Sequence, residues 1–336
     1  MNTAVVLVTW NGASHLGACL ASLVKQRQPA RLTLVIDNAS EDDTLDRIER
    51  YRLELAQRGT DLLIVQNKAN LGFTCAANMA LRRAMESAPR PDMIVLLNQD
   101  TQVDDDWLAA IEDMFARHEN AGAVGCKIFY PGRGTLQHAG GMLIWPRLVG
   151  LHYGHHQPDA PEHNLEREVD FVTGAAIALR TTALDQVGLF NELFAPGYYE
   201  DVDLCMRLRA NGWQVWYCPQ AVLEHAESAS FSDRIARLTL SQRNRLLFAL
   251  MQMHNPPFER EFEAAEADFL RSDPHPDELR ALSLAYGRAM LMARQAVADK
   301  ESLAQAIDML ARLRHLCTDC KQLPGRHSKQ AEVRAG

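Results

Sequence analysis

Ala4-Val5-Val6-Leu7-Val8-Thr9 is a β-branched run that stays apolar until its last position, and Trp10-Asn11-Gly12 breaks it. A strand with one wet face alternates, whereas a continuous apolar run suits a strand covered on both faces. Ser14 stands where it could cap a helix, and Leu16, Leu20, Leu23 and Val24 follow at helical spacing. Residues 31–36 repeat the strand pattern and run into Asp37-Asn38-Ala39-Ser40, after which Ser40 or Asp42 can open another helix. Residues 62–66 and 93–97 read as a third and a fourth strand. Strands alternating with helices of about 10 to 15 residues indicate an α/β domain with a mainly parallel sheet.

After Pro131 the rhythm changes. Gly132, Gly134, Gly140 and Gly141, then residues 152–161, suggest loops and hairpins, and residues 169–179 return to strand character. Residues 200–211 predict a helix that stops at Gly212, followed by a strand near residues 213–217. Beyond Ser241 the pattern is helical, with breaks at Asn255-Pro256-Pro257 and Asp273-Pro274-His275-Pro276. The expected division is a catalytic-type α/β domain over residues 1–255 and a helical region over 256–336.

The 336 residues are 47% hydrophobic and 23% charged, the composition of a globular chain. A net charge of −8 excludes a broad field for nucleic acid. The charge is unevenly spread: from Arg280 onward there are ten Lys/Arg and five Asp/Glu, against 25 and 38 in the first 279 residues. A basic tail on an acidic body suggests an anionic contact such as a membrane surface, or simply a solvated helical face. No apolar run reaches the ~18 residues of a spanning helix, and residues 4–9 are too short for a signal core, so a cytoplasmic location is expected. Seven cysteines lack a framework and read as small buried residues. Cys317 and Cys320, with His315 and His327 nearby, make at most half a zinc site.

In a parallel α/β sheet, ligands bind beyond the carboxyl ends of the strands. Thr9-Trp10-Asn11, Asp37-Asn38-Ala39-Ser40 and Asn98-Gln99-Asp100 all fall at such ends. Asp37 can accept from a base N–H, or serve the turn as Asn11 would. Asp100 is placed to hold a hard cation bridging two phosphates, because Mg2+ and Mn2+ favour oxygen ligands. Asp104, Asp105 and Asp106 suit the start of the next helix instead. In Tyr199-Glu200-Asp201-Val202-Asp203, Glu200 and Asp203 share a helical face while Asp201 points elsewhere. These acids either decorate a helix start or include a general base. His225 is either structural or a second metal ligand.

At these residues the sequence resembles a family 2 inverting glycosyltransferase of the GT-A type, most like the bacterial rhamnosyltransferase-like branch. The likeness spans residues 3–250 and rests on ordered motifs. They are Val8-Thr9-Trp10-Asn11, Val35-Ile36-Asp37-Asn38-Ala39-Ser40, Asn70-Leu71-Gly72-Phe73 with Ala77-Asn78, and Leu97-Asn98-Gln99-Asp100, followed by Phe171-Val172-Thr173-Gly174-Ala175, Tyr199-Glu200-Asp201-Val202-Asp203 and His225. The resemblance implies the Rossmann-like GT-A fold with a helical C-terminal appendage. It implies that Asp37 binds a pyrimidine base and that Thr9, Asn11, Asn70, Gly72, Asn78, Asn98 and Gln99 shape the donor cleft. Asp100 and His225 would hold Mg2+ or Mn2+ on the diphosphate. Asp201 would deprotonate the acceptor hydroxyl, with Gly174, Ala175, Glu200 and Asp203 on the acceptor side.

One departure is that Asn98 stands where the family has the first carboxylate of an Asp-x-Asp. The implied donor is a dTDP- or UDP-linked sugar, with rhamnose favoured. The implied acceptor is a saccharide or lipid-linked saccharide of a cell-surface polysaccharide, and the helical stripes beyond residue 258 would pack on the main domain, a second copy of the chain or the inner membrane face. A degenerate, non-catalytic nucleotide-sugar-binding partner protein is the alternative, favoured by Asn98 alone. A nicotinamide oxidoreductase is excluded by the absence of a glycine fingerprint after the first strand.

Overall fold

The computed structural model describes residues 1–227, 233–252 and 256–322. Asn255, His327 and the end of the basic tail, on which some of the readings above fall, lie outside the described residues.

The chain opens with β1 (Thr3–Thr9), α1 (Leu16–Val24), β2 (Leu32–Asp37), α2 (Thr44–Arg50), α3 (Arg52–Gln57), β3 (Asp61–Gln66), α4 (Phe73–Met85) and β4 (Met93–Asn98). The run at residues 4–7 is fully buried, as a strand covered on both faces requires. Ser14 does not cap α1. His15 occupies that position without a side-chain bond, and the Gly12 carbonyl accepts from the amides of His15 and Leu16 instead. There follow β5 (Thr101–Val103), α5 (Trp107–Arg117), β6 (Ala121–Phe129), β7 (Leu136–His138), β8 (Gly141–Ile144), β9 (Val149–His152), β10 (Arg167–Glu168) and β11 (Ala176–Arg180). Then come α6 (Thr181–Val187), α7 (Glu200–Ala210) and β12 (Gln214–His225). The last strand is much longer than the sequence suggests, and it carries His225 to its final position.

The large sheet runs β10-β12-β6-β11-β4-β1-β2-β3, with β5 paired to β12 and β7 to β6. β1, β2, β3 and β4 are mutually parallel, and β6 and β12 are parallel to each other. β11 is antiparallel to both of its neighbours and joins these two parallel blocks. This insertion brings the end of β4 beside the start of β11, where the Asn98 amide donates to the Ala175 carbonyl at 2.9 Å. The register Thr9↔Asp37 and Val8↔Asn98 sets three polar strand ends side by side.

The chain divides into two compact units, one of residues 1–143 and 150–228, the other of 144–149 and the helices that follow. The second unit holds α8 (Arg234–Met251), α9 (Pro256–Arg271), α10 (Pro276–Ala296) and α11 (Lys300–Gln322). Leu279, Leu282, Ala285, Leu310 and Leu313 form its buried stripes, whereas Leu284 and Leu291 point outward. A buried polar knot pins segment 144–149 here. Arg245 bonds Glu266 and donates to the Arg147 carbonyl at 2.7 Å, and the Tyr286 hydroxyl donates to Glu266 at 2.9 Å. Cys317 is buried with its thiol on the Leu279 carbonyl at 3.1 Å, the behaviour of a packed small residue. Among the described residues no helix is long and apolar enough to cross a membrane.

Candidate active site

The donor edge is knitted by side chains. The Thr9 hydroxyl donates to Gln99 Oε1 at 2.5 Å, and the Trp10 amide donates to the same oxygen at 3.1 Å. Gly12 permits this: a Cβ there would lie 2.2 Å from Gln99 Oε1. The Asn11 amide donates to Ser40 Oγ, and its side-chain oxygen accepts from the Glu41 amide, both at 2.9 Å. Asn11 is therefore a turn residue at φ 48°, locking the loop after β1 to the loop after β2. Asp37 is buried. One carboxylate oxygen accepts from the Ser40 amide at 3.2 Å, and Oδ1 has no partner among the described residues. A buried acceptor left open at a strand end is what a ligand N–H would complete.

Asn38 is the organiser of the neighbouring loop. Its Nδ2 donates to Asn70 Oδ1 at 2.8 Å, and its Oδ1 accepts from Asn67 Nδ2 and the Leu71 amide, each at 3.0 Å. Asn70 in turn accepts from the Gly72 amide at 2.9 Å. Gly72 sits at φ 77°, and a Cβ there would stand 2.7 Å from that of Pro196. Asn78 departs from the expectation of a donor contact. Its amide is buried and bonds Phe190 through both N–H and C=O, at 2.9 and 3.0 Å, with a further bond to Glu192. It clamps the loop at residues 190–192 onto α4, which occupies both of its side-chain N–H groups.

At the end of β4, His225 Nε2 lies 3.1 Å from Asp100 Oδ1 and 3.3 Å from Asn98 Nδ2. Asp100 and His225 are both buried, and His225 Nδ1 is 2.7 Å from Gln137 Oε1. Two adjacent ligands of an octahedral cation bound at ~2.1 Å stand ~3.0 Å apart, so this pair fits Mg2+ or Mn2+. Among the described residues no group of three or more His, Cys, Asp or Glu is placed to hold a metal. Two protein ligands would leave the other positions to phosphate oxygens and water, as is usual for Mg2+. Asp104 and Asp106 are committed elsewhere, to Arg133 and Arg27. Gln137 had no sequence signal: it belongs to no motif, and only the fold brings it to His225.

The acceptor side begins with Tyr198 and Tyr199, at φ 72° and 70°. Two successive bulky residues in the left-handed region are strained, at ~1–3 kcal/mol each. They deliver Glu200 and Asp201 to the first turn of α7. Asp201 Oδ2 accepts from the Gly174 amide and Oδ1 from the Val202 amide, both at 2.8 Å. Burial raises the Asp201 carboxyl above the usual range, against these amides, which favour the anion. Glu200 is buried with Oε2 unpartnered among the described residues, and burial, then the charge of Asp201, pushes it well up. Asp203 is buried and paired with Arg207 at 2.8 Å, whose guanidinium also holds the Leu189 carbonyl.

The two halves meet through backbone. Gly174 binds Asp201, and the next residue, Ala175, accepts from Asn98, whose side chain touches His225. Asp201, in the first turn of α7, is thus joined through Gly174, Ala175 and Asn98 to the Asp100–His225 pair.

This architecture is the GT-A fold, and the chain belongs to the glycosyltransferases: the model of the family "Glycosyltransferase like family 2" matches residues 2–249. It is 30% identical over 264 residues to the N-acetylglucosaminyl-diphospho-decaprenol L-rhamnosyltransferase of Mycobacterium tuberculosis, covering 73% of this chain and 82% of that one. It is 29% identical over 233 residues to the uncharacterized protein y4gI of Sinorhizobium fredii, covering 67% of this chain but spanning only 24% of that protein's length. In three dimensions it resembles the mannosyltransferase PcManGT of Pyrobaculum calidifontis, solved with GDP-Man and Mn2+. The TM-score is 0.54 at 19% identity, with 96% of this chain and 87% of that one covered.

Proposed function

We propose that this chain transfers a sugar, rhamnose in the first instance, from a dTDP- or UDP-linked donor to a saccharide or lipid-linked saccharide acceptor, with inversion at the anomeric carbon. One observation carries the reading. A carboxylate held by two amide N–H groups, Asp201, is joined through Gly174, Ala175 and Asn98 to the Asp100–His225 pair, and β4, which ends at Asn98, flanks β1 on the side opposite the strand that ends at Asp37.

Asp37 Oδ1 accepts from the base N–H, and the Thr9–Gln99–Trp10 clamp fixes the loop beside it. Asp100 and His225 would hold Mg2+ or Mn2+, which supplies Lewis-acid stabilisation of the charge developing on the departing diphosphate. Asp201 takes the proton as the acceptor oxygen attacks from the face opposite the leaving group. Its raised pKa makes it a stronger base than an exposed aspartate, and the Gly174 and Val202 amides fix the direction of its lone pairs. Asn98 adds no charge but keeps an amide on the His225 ring, so its departure from Asp-x-Asp is compatible with a working site.

The M. tuberculosis relative's name supports a rhamnosyl donor and a polyprenyl-diphosphate-linked acceptor. We assign the enzyme to the cytoplasmic face of the membrane, where the basic tail would meet anionic headgroups, with self-association through the helical region as a further contact. The test is a thermal-shift and transfer screen of nucleotide sugars with and without Mn2+, since a bound donor stabilises the fold by mass action. Stabilisation by a dTDP or UDP sugar, followed by transfer to a lipid-linked saccharide, is expected. Binding without transfer to any acceptor would favour the non-catalytic partner.

A further inference from the structure

Gln137 lies outside every motif of the proposed site, yet its carbonyl oxygen is 2.7 Å from His225 Nδ1 and both side chains are buried. We propose that Gln137 is a positioning residue that holds the His225 ring proton on Nδ1, keeping the Nε2 lone pair beside Asp100 for a divalent cation. The proposal rests on the reading of Asp100 and His225 as the metal pair.

Three observations carry it. First, the backbone aims this side chain by a bulge. β7 pairs with β6 as Ile128↔His138 and Phe129↔Leu136, so Gln137 is the surplus residue between two pairs. A surplus residue of this kind redirects a side chain at the rim of a sheet. Its neighbour His138 instead packs against His152 and Phe171.

Second, Gln137 Nε2 is buried with no hydrogen-bond partner among the described residues. An amide recruited only to hold the fold would normally have its N–H groups met. Here the His225 ring alone fixes the orientation of the carbonyl.

Third, the opposite nitrogen faces the other proposed ligand of the cation. Asn98 Nδ2, a donor, stands 3.3 Å from Nε2, and Asp100 Oδ1, an acceptor, stands 3.1 Å away. With the proton on Nδ1, Nε2 accepts from Asn98 and shares with Asp100 a space suited to a cation. A metal-ligating histidine gives its second nitrogen to an oxygen acceptor for this reason. A neutral amide fixes the tautomer without adding negative charge behind the ring.

The test uses the full chain with 15N-labelled histidine in the presence of Mg2+ and UDP, because the two ring nitrogens report separately which of them carries the proton, and a cation between Nε2 and Asp100 removes the carboxylate's own claim on it. In the wild type, His225 is expected as the Nδ1–H tautomer. Gln137→Met, which keeps bulk and removes the acceptor, should shift it toward Nε2–H, while Gln137→Glu should retain Nδ1–H. In parallel, free Mn2+ is measured by electron paramagnetic resonance in the presence of UDP or of dTDP. Gln137→Met should weaken Mn2+ ~10- to 100-fold, and Gln137→Glu should bind at the wild-type level or tighter. Nucleotide binding in chelator, equal in all three proteins, controls for folding. Wild-type tautomer and wild-type Mn2+ affinity in Gln137→Met overturn the proposal. Failure of the wild type itself to bind Mn2+, with Asp100→Ala and His225→Ala no different, overturns the metal assignment and the proposal with it, and is distinguishable from the first result.

Discussion

Thr9 bonds Gln99, Asn11 bonds Ser40 and Asn38 bonds Asn70 across the proposed donor loops, whereas the hydrogen bonds on Asp201 come from the backbone amides of Gly174 and Val202. The donor side is built of neutral amides and hydroxyls whose donors and acceptors match, with Asp37 Oδ1 left open. The acceptor side is built of buried carboxylates behind two strained tyrosines. Satisfied networks are rigid and inexpensive to maintain; buried unmet charge is costly and reactive. The difference fits the proposed division between a half that recognises and a half that reacts. Substitutions on the donor side should change binding or stability, and those on the acceptor side should change rate and its dependence on pH.

The widest separation is expected from Asp201→Asn. The amide keeps the shape of the site but cannot take a proton. Removing a positioned base lowers kcat by ~10²- to 10⁴-fold, while calorimetry should find nucleotide affinity unchanged. The wild-type profile should carry a matching signature. Asp201 works ionised, and its pKa is raised by burial, so kcat/KM should fall with decreasing pH at values above the ordinary aspartate range. Asp201→Asn with near-normal turnover breaks the contrast at its centre.

Asp37→Asn should do the reverse. It replaces an ionic acceptor by a weaker one, a loss of ~1.5–3 kcal/mol or roughly 10- to 100-fold in donor affinity, with kcat at saturation little changed. A kcat effect as large as the affinity effect would mean that the two halves are not separable in this way.

Asn38→Ala addresses stability. It strands Asn67, Asn70 and the Leu71 amide, and should lower unfolding free energy by ~1–3 kcal/mol in denaturant titration while raising donor KM. An unchanged midpoint would show that water replaces the network without loss.

The same contrast explains what could be read from sequence. Strand ends were legible because an apolar run that stops at Thr9, Asp37 or Asn98 fixes both the element and the edge on which its polar residue falls. Asp100 and His225 meet at 3.1 Å although 125 positions separate them, since strand order alone brings their ends together. What failed depended on packing. Asn78 looked like a ligand residue because nothing local reveals that residues 190–192 fold onto it. Asp203 owes its acceptor-side reading to the family resemblance, whereas its i,i+4 spacing to Arg207 predicts the pair that forms. Ser14 was passed over as a cap because the Gly12 carbonyl starts the helix instead. Gln137 was illegible because a bulge is a property of two strands together.

Glu200→Gln should give the smallest effect and the clearest sign. Glu200 is buried with an unpartnered oxygen, and burial together with Asp201 raises its pKa well above that of an unfolded glutamate. Ionisation therefore favours the unfolded chain. The stability this group contributes is fully present below the unfolded pKa and is lost as pH rises through the folded value. Glutamine cannot ionise, so it escapes that loss. Thermal unfolding of the two proteins from about pH 4 to about pH 9 should show similar midpoints in acid and a gap that opens in favour of Glu200→Gln as pH rises. A constant gap would mean that the Glu200 carboxyl has the same pKa in the folded and the unfolded chain. If the gap opens while turnover survives, a neutral side chain is sufficient beside Asp201, and Asp201 is left as the proton acceptor of the pair.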